Sequence, residues 1–162
     1  MLELVLLAPA PLEAGTAAPA MQTVGAARYQ LGPFKLYEAE LRSRNGAFSW
    51  QEPFDLTLTY TRGFSARKLA DVSVKEMARM TGRKESLLAP LRAKLTACFA
   101  DVRKGDVIVG RSLSMNEAEF TYNGEPRCRI AWTDFRSDFF GIWLSDKARF
   151  EEQAARLKGE RE

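Results

Sequence analysis

Residues 123–144 read NGEPRCRIAWTDFRSDFFGIWL. The opening pair, Asn123-Gly124, suits the positive φ angles of a tight hairpin turn. Behind it Cys128, Ile130 and Trp132 fall at every second position, which predicts a short strand. Phe135, Phe139, Ile142 and Trp143 then recur at helical spacing. They predict one helix whose apolar groups are too large and too dense to leave in water, so it should plug the core.

Two strands precede the turn, Val107 to Leu113 and Ala118 to Tyr122, after a Lys104-Gly105-Asp106 turn. Three strands in a row joined by short loops predict a meander. Two helices lie before them. Ser65 is placed to cap the first, which runs to about Thr81 with Gly82 as its stop. Leu69, Val72, Glu76, Met77 and Met80 roughly follow one of its faces. The second runs to about Phe99, with Leu87, Leu88, Leu91, Leu95, Cys98 and Phe99 as its stripe. Pro90 either kinks it or begins its regular part.

Phe54 to Arg62 alternates cleanly, with Phe54, Leu56, Leu58 and Tyr60 opposed to Asp55, Thr57, Thr59 and Thr61, and Gly63 ends it. That is a half-buried antiparallel strand. Tyr29 to Phe34 reads as a hairpin on Gly32-Pro33. If the loop is those two residues, Leu31 faces Phe34, Tyr29 faces Leu36, and Arg28 faces Tyr37. At the other end Thr133 or Asp134 caps the aromatic helix. Ser145 or Asp146 caps a last helix bearing Phe150, Ala154 and Leu157. The whole predicts one α+β domain over residues 23–158, an antiparallel sheet with helices packed on one face.

Residues 1–22 have two readings. Leu2 to Ala8 is apolar, and Ala8-Pro9-Ala10 and Ala18-Pro19-Ala20 resemble cleavage sites, but Glu3 stands where a signal peptide carries basic residues. A signal-peptide remnant implies a periplasmic or exported protein. A disordered Ala/Pro-rich leader leaves a cytoplasmic one.

Composition excludes several classes. The 162 residues carry a net charge of +3, with Lys and Arg interleaved with Asp and Glu. No basic run alternates with aromatics, which argues against nucleic-acid binding. No histidine is present, so the commonest general base and metal ligand are missing. Two cysteines, Cys98 and Cys128, cannot build a zinc site alone. They are read as buried free thiols, with pairing as the alternative in an oxidising compartment. No stretch is long enough to span a bilayer. No phosphate-cradling glycine loop and no Ser/His or Cys/His arrangement can be assembled.

Four candidates for chemistry remain. Asp134 and Asp138, four apart, could act as an acid/base pair, but a carboxylate in the first helical turn is better explained as a cap. Phe135, Phe139, Phe140 and Trp143 could line a pocket for a flat ligand or simply be core. Arg62, Arg111 and Arg129 could hold an anion or reach out to water along their stems. Arg28 beside Tyr37 is the sharpest constellation. A guanidinium fork with a phenol could hold an acid head group or a ketone oxygen, and a surface pair with no ligand is the plainer account.

In order along the chain stand Phe34-Lys-Leu-Tyr37-Glu-Ala-Glu-Leu41, Leu56-Thr-Leu-Thr-Tyr60, Ala100-Asp-Val-Arg-Lys-Gly-Asp106, Tyr122-Asn-Gly124 and Phe139-Phe-Gly-Ile-Trp-Leu144. This ordered set resembles the chalcone isomerase-like family, in particular its bacterial branch. The resemblance implies an open-faced β-sandwich with a cleft between sheet and helices, and no metal or redox cofactor. Plant enzymes of the family close a chalcone to a flavanone. Related plastid proteins bind fatty acids through an arginine on the first strand and a tyrosine on the next, which Arg28 and Tyr37 resemble. After Gly63 the enzymes carry a catalytic tyrosine and, further on, an asparagine; here Phe64 to Leu69 has no tyrosine and Asp71 stands near the asparagine position.

The resemblance therefore implies a non-catalytic protein that binds an apolar carboxylate such as a fatty acid. Arg28 and Tyr37 would fix the head group, and Tyr60, Phe139 and Trp143 would supply wall, with Arg62 a further anion-holding candidate. An intramolecular lyase acting on a chalcone-like enone is the alternative. A third possibility is an interaction module whose cleft is filled by its own side chains.

Overall fold

A computed structural model describes residues 20–162, so residues 1–19 of the expected leader lie outside the described part. Six strands form one antiparallel sheet in the order β1-β2-β3-β4-β5-β6. They are β1 (Gln22–Leu31), β2 (Phe34–Ser43), β3 (Phe54–Tyr60), β4 (Val107–Ser114), β5 (Glu117–Tyr122) and β6 (Glu125–Ala131). Helices α1 (Ala66–Thr81) and α2 (Ala89–Cys98) lie between β3 and β4. Three short helices follow the sheet: α3 (Phe135–Phe139), α4 (Gly141–Leu144) and α5 (Glu151–Leu157). The architecture is the α+β open-faced sandwich, with helices layered on one face.

Local signals set most element ends. Ser65 Oγ accepts the Lys68 N–H at 3.1 Å, and Gly82, at φ 71°, closes α1. Pro90 sits in the first turn of α2, after a 3₁₀ turn over Glu85–Leu88. Asn123 and Gly124 both have positive φ, 48° and 83°, as a tight hairpin requires. The Ala100–Asp106 motif is structural: Asp101 accepts the Ala66 N–H at 2.8 Å, and Asp106 accepts the Tyr122 hydroxyl at 2.7 Å and the Arg103 N–H at 2.8 Å.

The last third departs from expectation in three ways. The aromatic segment is two short helices joined at Phe140, not one. Asp134 does stand at the N-cap position of α3, but in a left-handed conformation, and its side chain makes no capping bond. Asp138 instead faces Arg83 at 3.2 Å. Neither Ser145 nor Asp146 caps the final helix, which begins at Glu151 after Phe150. The Ser145 hydroxyl accepts the Lys147 N–H, in the loop between α4 and α5.

The inner face of the sheet carries Ala27, Tyr29, Ala39, Leu41, Phe54, Leu56, Leu58 and Phe120, all buried. The outer face carries charge. Arg42, Asp55, Arg111, Glu119 and Arg129 stand directly opposite one another from β2 to β6, one row of alternating sign. Within it Arg111 grips Asp55 with two bonds of 2.8 and 3.1 Å, and Arg129 meets Glu119 at 2.6 Å. Both arginines are thereby taken up by carboxylates on the solvent side.

Cys98 and Cys128 form a disulfide with Cα atoms 5.5 Å apart, tying the end of α2 to β6. The expectation of two free thiols is corrected: the end of the helix lies over the strand, and Arg127 donates to the Cys98 and Phe99 carbonyls beside the bridge. Opposite, Arg136 on α3 is 3% exposed and donates to Ser112 Oγ at 2.6 Å and Trp50 O at 2.9 Å. Among the described residues no helix is long and apolar enough to cross a membrane.

Candidate ligand-binding site

The β1–β2 register decides what faces the cleft. Leu31 pairs with Phe34 as the turn demands, but Tyr29 pairs with Tyr37 and Arg28 with Glu38. Leu36 is an extra residue in β2, a bulge that shifts the pairs from Tyr29–Tyr37 to Gly25–Leu41 by one, until a second irregularity at Val24 restores the register. Since side chains alternate across a strand, that shift exchanges the faces. The predicted Arg28–Tyr37 pair does not exist. The Arg28 side chain is 87% exposed on the outer face and meets Glu38 at 3.3 Å.

The same shift puts three tyrosines in a row. Tyr37 lies opposite Tyr29 on one side and Tyr60 on the other. The Tyr29 and Tyr37 rings stack at 4.8 Å, and Tyr37 meets Tyr60 edge-on at 5.7 Å. The Trp143 indole donates to the Tyr37 hydroxyl at 2.9 Å from the helical side. The Tyr29 hydroxyl is buried and has no hydrogen-bond partner. Burial pushes all three phenols far above their ordinary range, and Tyr37 raises Tyr29 and Tyr60 further. They therefore face the cleft as un-ionised donors.

These tyrosines border a cavity of about 380 Å³ between sheet and helices. Its far wall is apolar, with Leu58, Ile108, Phe99, Phe120, Phe139 and Phe140. Gly110 in that wall leaves room that a side chain would fill: an added Cβ would stand 3.1 Å from both Phe120 and Phe140. The aromatic stripe is thus core and wall at once, since Phe135 is fully buried behind it.

The other end is polar. Glu76 on α1 reaches the cavity and accepts from Arg149 at 2.6 Å and from Arg79 at 3.0 Å. Burial alone would raise its carboxyl; the bonds from the two arginines outweigh that and hold it below the usual glutamate range. Lys68 and Arg149 complete the rim.

Of the residues singled out from sequence, Tyr37, Tyr60, Phe139 and Trp143 line this cavity, and Arg28 and Arg62 do not. Arg62 lies outside, its guanidinium 5.1 Å from the Phe34 ring centre and 5.8 Å from that of Phe64. Sequence reasoning missed Tyr29, Glu76 and Arg149. Glu76 did carry a signal, a carboxylate in phase with the apolar face of α1.

A tyrosine-lined slot thus lies between an open antiparallel sheet and its layer of helices. The family model described as "Chalcone isomerase-like" matches residues 33–156, and the chain belongs to that family. A crystal structure of an Arabidopsis thaliana fatty-acid binding protein matches with a TM-score of 0.70 at 7% identity, covering 89% of each chain. That likeness is one of fold. Comparison with curated proteins finds no match in sequence.

Proposed function

We propose that this chain binds a fatty acid or similar apolar carboxylate in the cavity and does not transform it. The carrying observation is the unpartnered Tyr29 hydroxyl at the border of an apolar slot. A buried donor left unpaired is unfavourable, and a ligand oxygen relieves it. The volume lies in the range of small-molecule sites. The acid head sits by Tyr29, Tyr37 and Tyr60, with Arg149 as the nearby cation, and the tail runs toward Phe120 and Phe139. The fold shared with a fatty-acid binding protein supports this reading.

Titration with a fluorescent fatty acid tests it. Tyr29→Phe should weaken binding about five- to tenfold, as loss of one hydrogen bond does, while Arg28→Ala leaves it unchanged. Saturable binding absent in the unaltered chain removes the proposal.

A second reading is favoured by the same hydroxyls. Phenols that burial keeps protonated could polarise a ketone oxygen, as closure of a chalcone-like enone requires. Turnover of a phenolic enone above buffer, lost in Tyr29→Phe, would favour it over simple binding.

We also place the protein in an exported, oxidising compartment. The Cys98–Cys128 bridge supports that placement, since such bridges are rare in reducing cytosol. Thiols that react with an alkylating reagent in intact cells without prior reduction would refute it.

A further inference from the structure

The cavity mouth differs from the rest of the surface. The lining residues that reach solvent are Leu31, Lys68, Val72 and Arg149. Leu31 and Phe34 face each other at the tip of the β1–β2 hairpin, each 58% exposed, and Val72 is 44% exposed. Large apolar groups are seldom left in water side by side without a partner. Cations flank them: Arg62 lies over Phe34, and Lys68 lines the rim. Among the described residues Arg62 and Lys68 enter no ion pair. The acids nearest on α1 are already held, Glu76 by Arg79 and Arg149, and Asp71 by Lys75 and Arg92.

We propose that this mouth docks on an anionic phospholipid bilayer and that the cavity loads its ligand there. Apolar tips flanked by cations are what such a surface takes: Leu31, Phe34 and Val72 enter the boundary between head groups and acyl chains, and the cations meet lipid phosphates. A second copy is a poor occupant, because two positive mouths repel. Docking sets the opening of the slot against the acyl layer, so a lipid moves from one apolar phase to another without crossing water. The inference rests on the lipid-binding reading, and the experiment separates the two.

The full chain is floated with phosphatidylcholine vesicles and with vesicles containing about one-third phosphatidylglycerol. Binding should require the anionic lipid, fall with salt, and weaken about fivefold for each of Arg62→Ala and Lys68→Ala. Phe34 lines no part of the cavity, so Phe34→Asp should lower vesicle binding at least ~tenfold while leaving solution affinity for a fluorescent fatty acid unchanged. Equal binding to both vesicle types, no vesicle binding, or a dimer that Phe34→Asp splits would each overturn the docking, even if fatty-acid affinity survives. Vesicle binding with no fatty acid bound would leave the docking standing and remove the ligand reading alone.

Discussion

Trp143 Nε1 donates to the Tyr37 hydroxyl across 2.9 Å, joining residues 106 positions apart in the chain. This bond ties α4, in the helical wall, to β2, in the sheet, at the border of the cavity. It also fixes the Tyr37 oxygen as an acceptor from Trp143, which leaves its own proton free for a ligand.

Trp143→Phe should keep the fold and lose that tie. The expected loss is about 1 kcal/mol of unfolding free energy for the hydrogen bond, with some further loss from the smaller ring. Urea unfolding followed by tyrosine fluorescence measures it. No change in midpoint would mean that the bond is not a restraint on the folded chain.

Glu76 makes stability depend on acid. Its folded-state pKa lies below the unfolded value, so its contribution is full above the ordinary glutamate range. It should be lost as pH falls from about 4.3 through the lowered folded value. Thermal melts across that window should show a decline that Glu76→Gln flattens. An identical decline in the variant would place the effect on other carboxylates.

The Cys98–Cys128 bridge closes a loop with a sequence separation of 30. Chain-entropy reasoning for a loop of that length gives about 3–4 kcal/mol of stabilisation. A Cys98→Ser/Cys128→Ser variant should therefore unfold at clearly lower denaturant than the oxidised chain and at nearly the same point as the reduced one. Coincident transitions for all three would show that the bridge does not constrain the unfolded ensemble.

Arg136 is buried against Ser112, the Trp50 carbonyl and the Phe54 ring. Arg136→Met keeps much of the volume but strands the Ser112 hydroxyl and that carbonyl. The expected cost is about 2–3 kcal/mol, read by calorimetry. A melting temperature equal to that of the parent would show that water replaces the guanidinium.

The parts legible in sequence are those with local causes. Ser65 and Gly82 bound α1 because a cap and a left-handed stop act over a few residues. Asn123-Gly124 fixes its hairpin through two φ angles. The β3 alternation reports burial on one face. What stayed hidden has causes elsewhere in the fold. Nothing in residues 28–37 announces that Leu36 will be extra, and that one residue moves Arg28 out of the cleft and Tyr29 into it. The cysteine pair requires knowing that the end of α2 lies on β6. Arg149 meets the cavity beside Glu76, a partner far back in the chain to which it is hydrogen-bonded.

The order of strands across the sheet is also their order along the chain. Within β1–β3 and within β4–β6 each strand can find its neighbour as soon as it leaves the ribosome; only β3 must wait, through α1 and α2, for β4. Yet α3 to α5, which close over the apolar face, are synthesised last. A chain cut short near residue 134 would carry all six strands but leave part of the sheet's apolar face bare, prone to clump before anything could fill it. Only when α3 to α5 have emerged is the apolar face covered along its length.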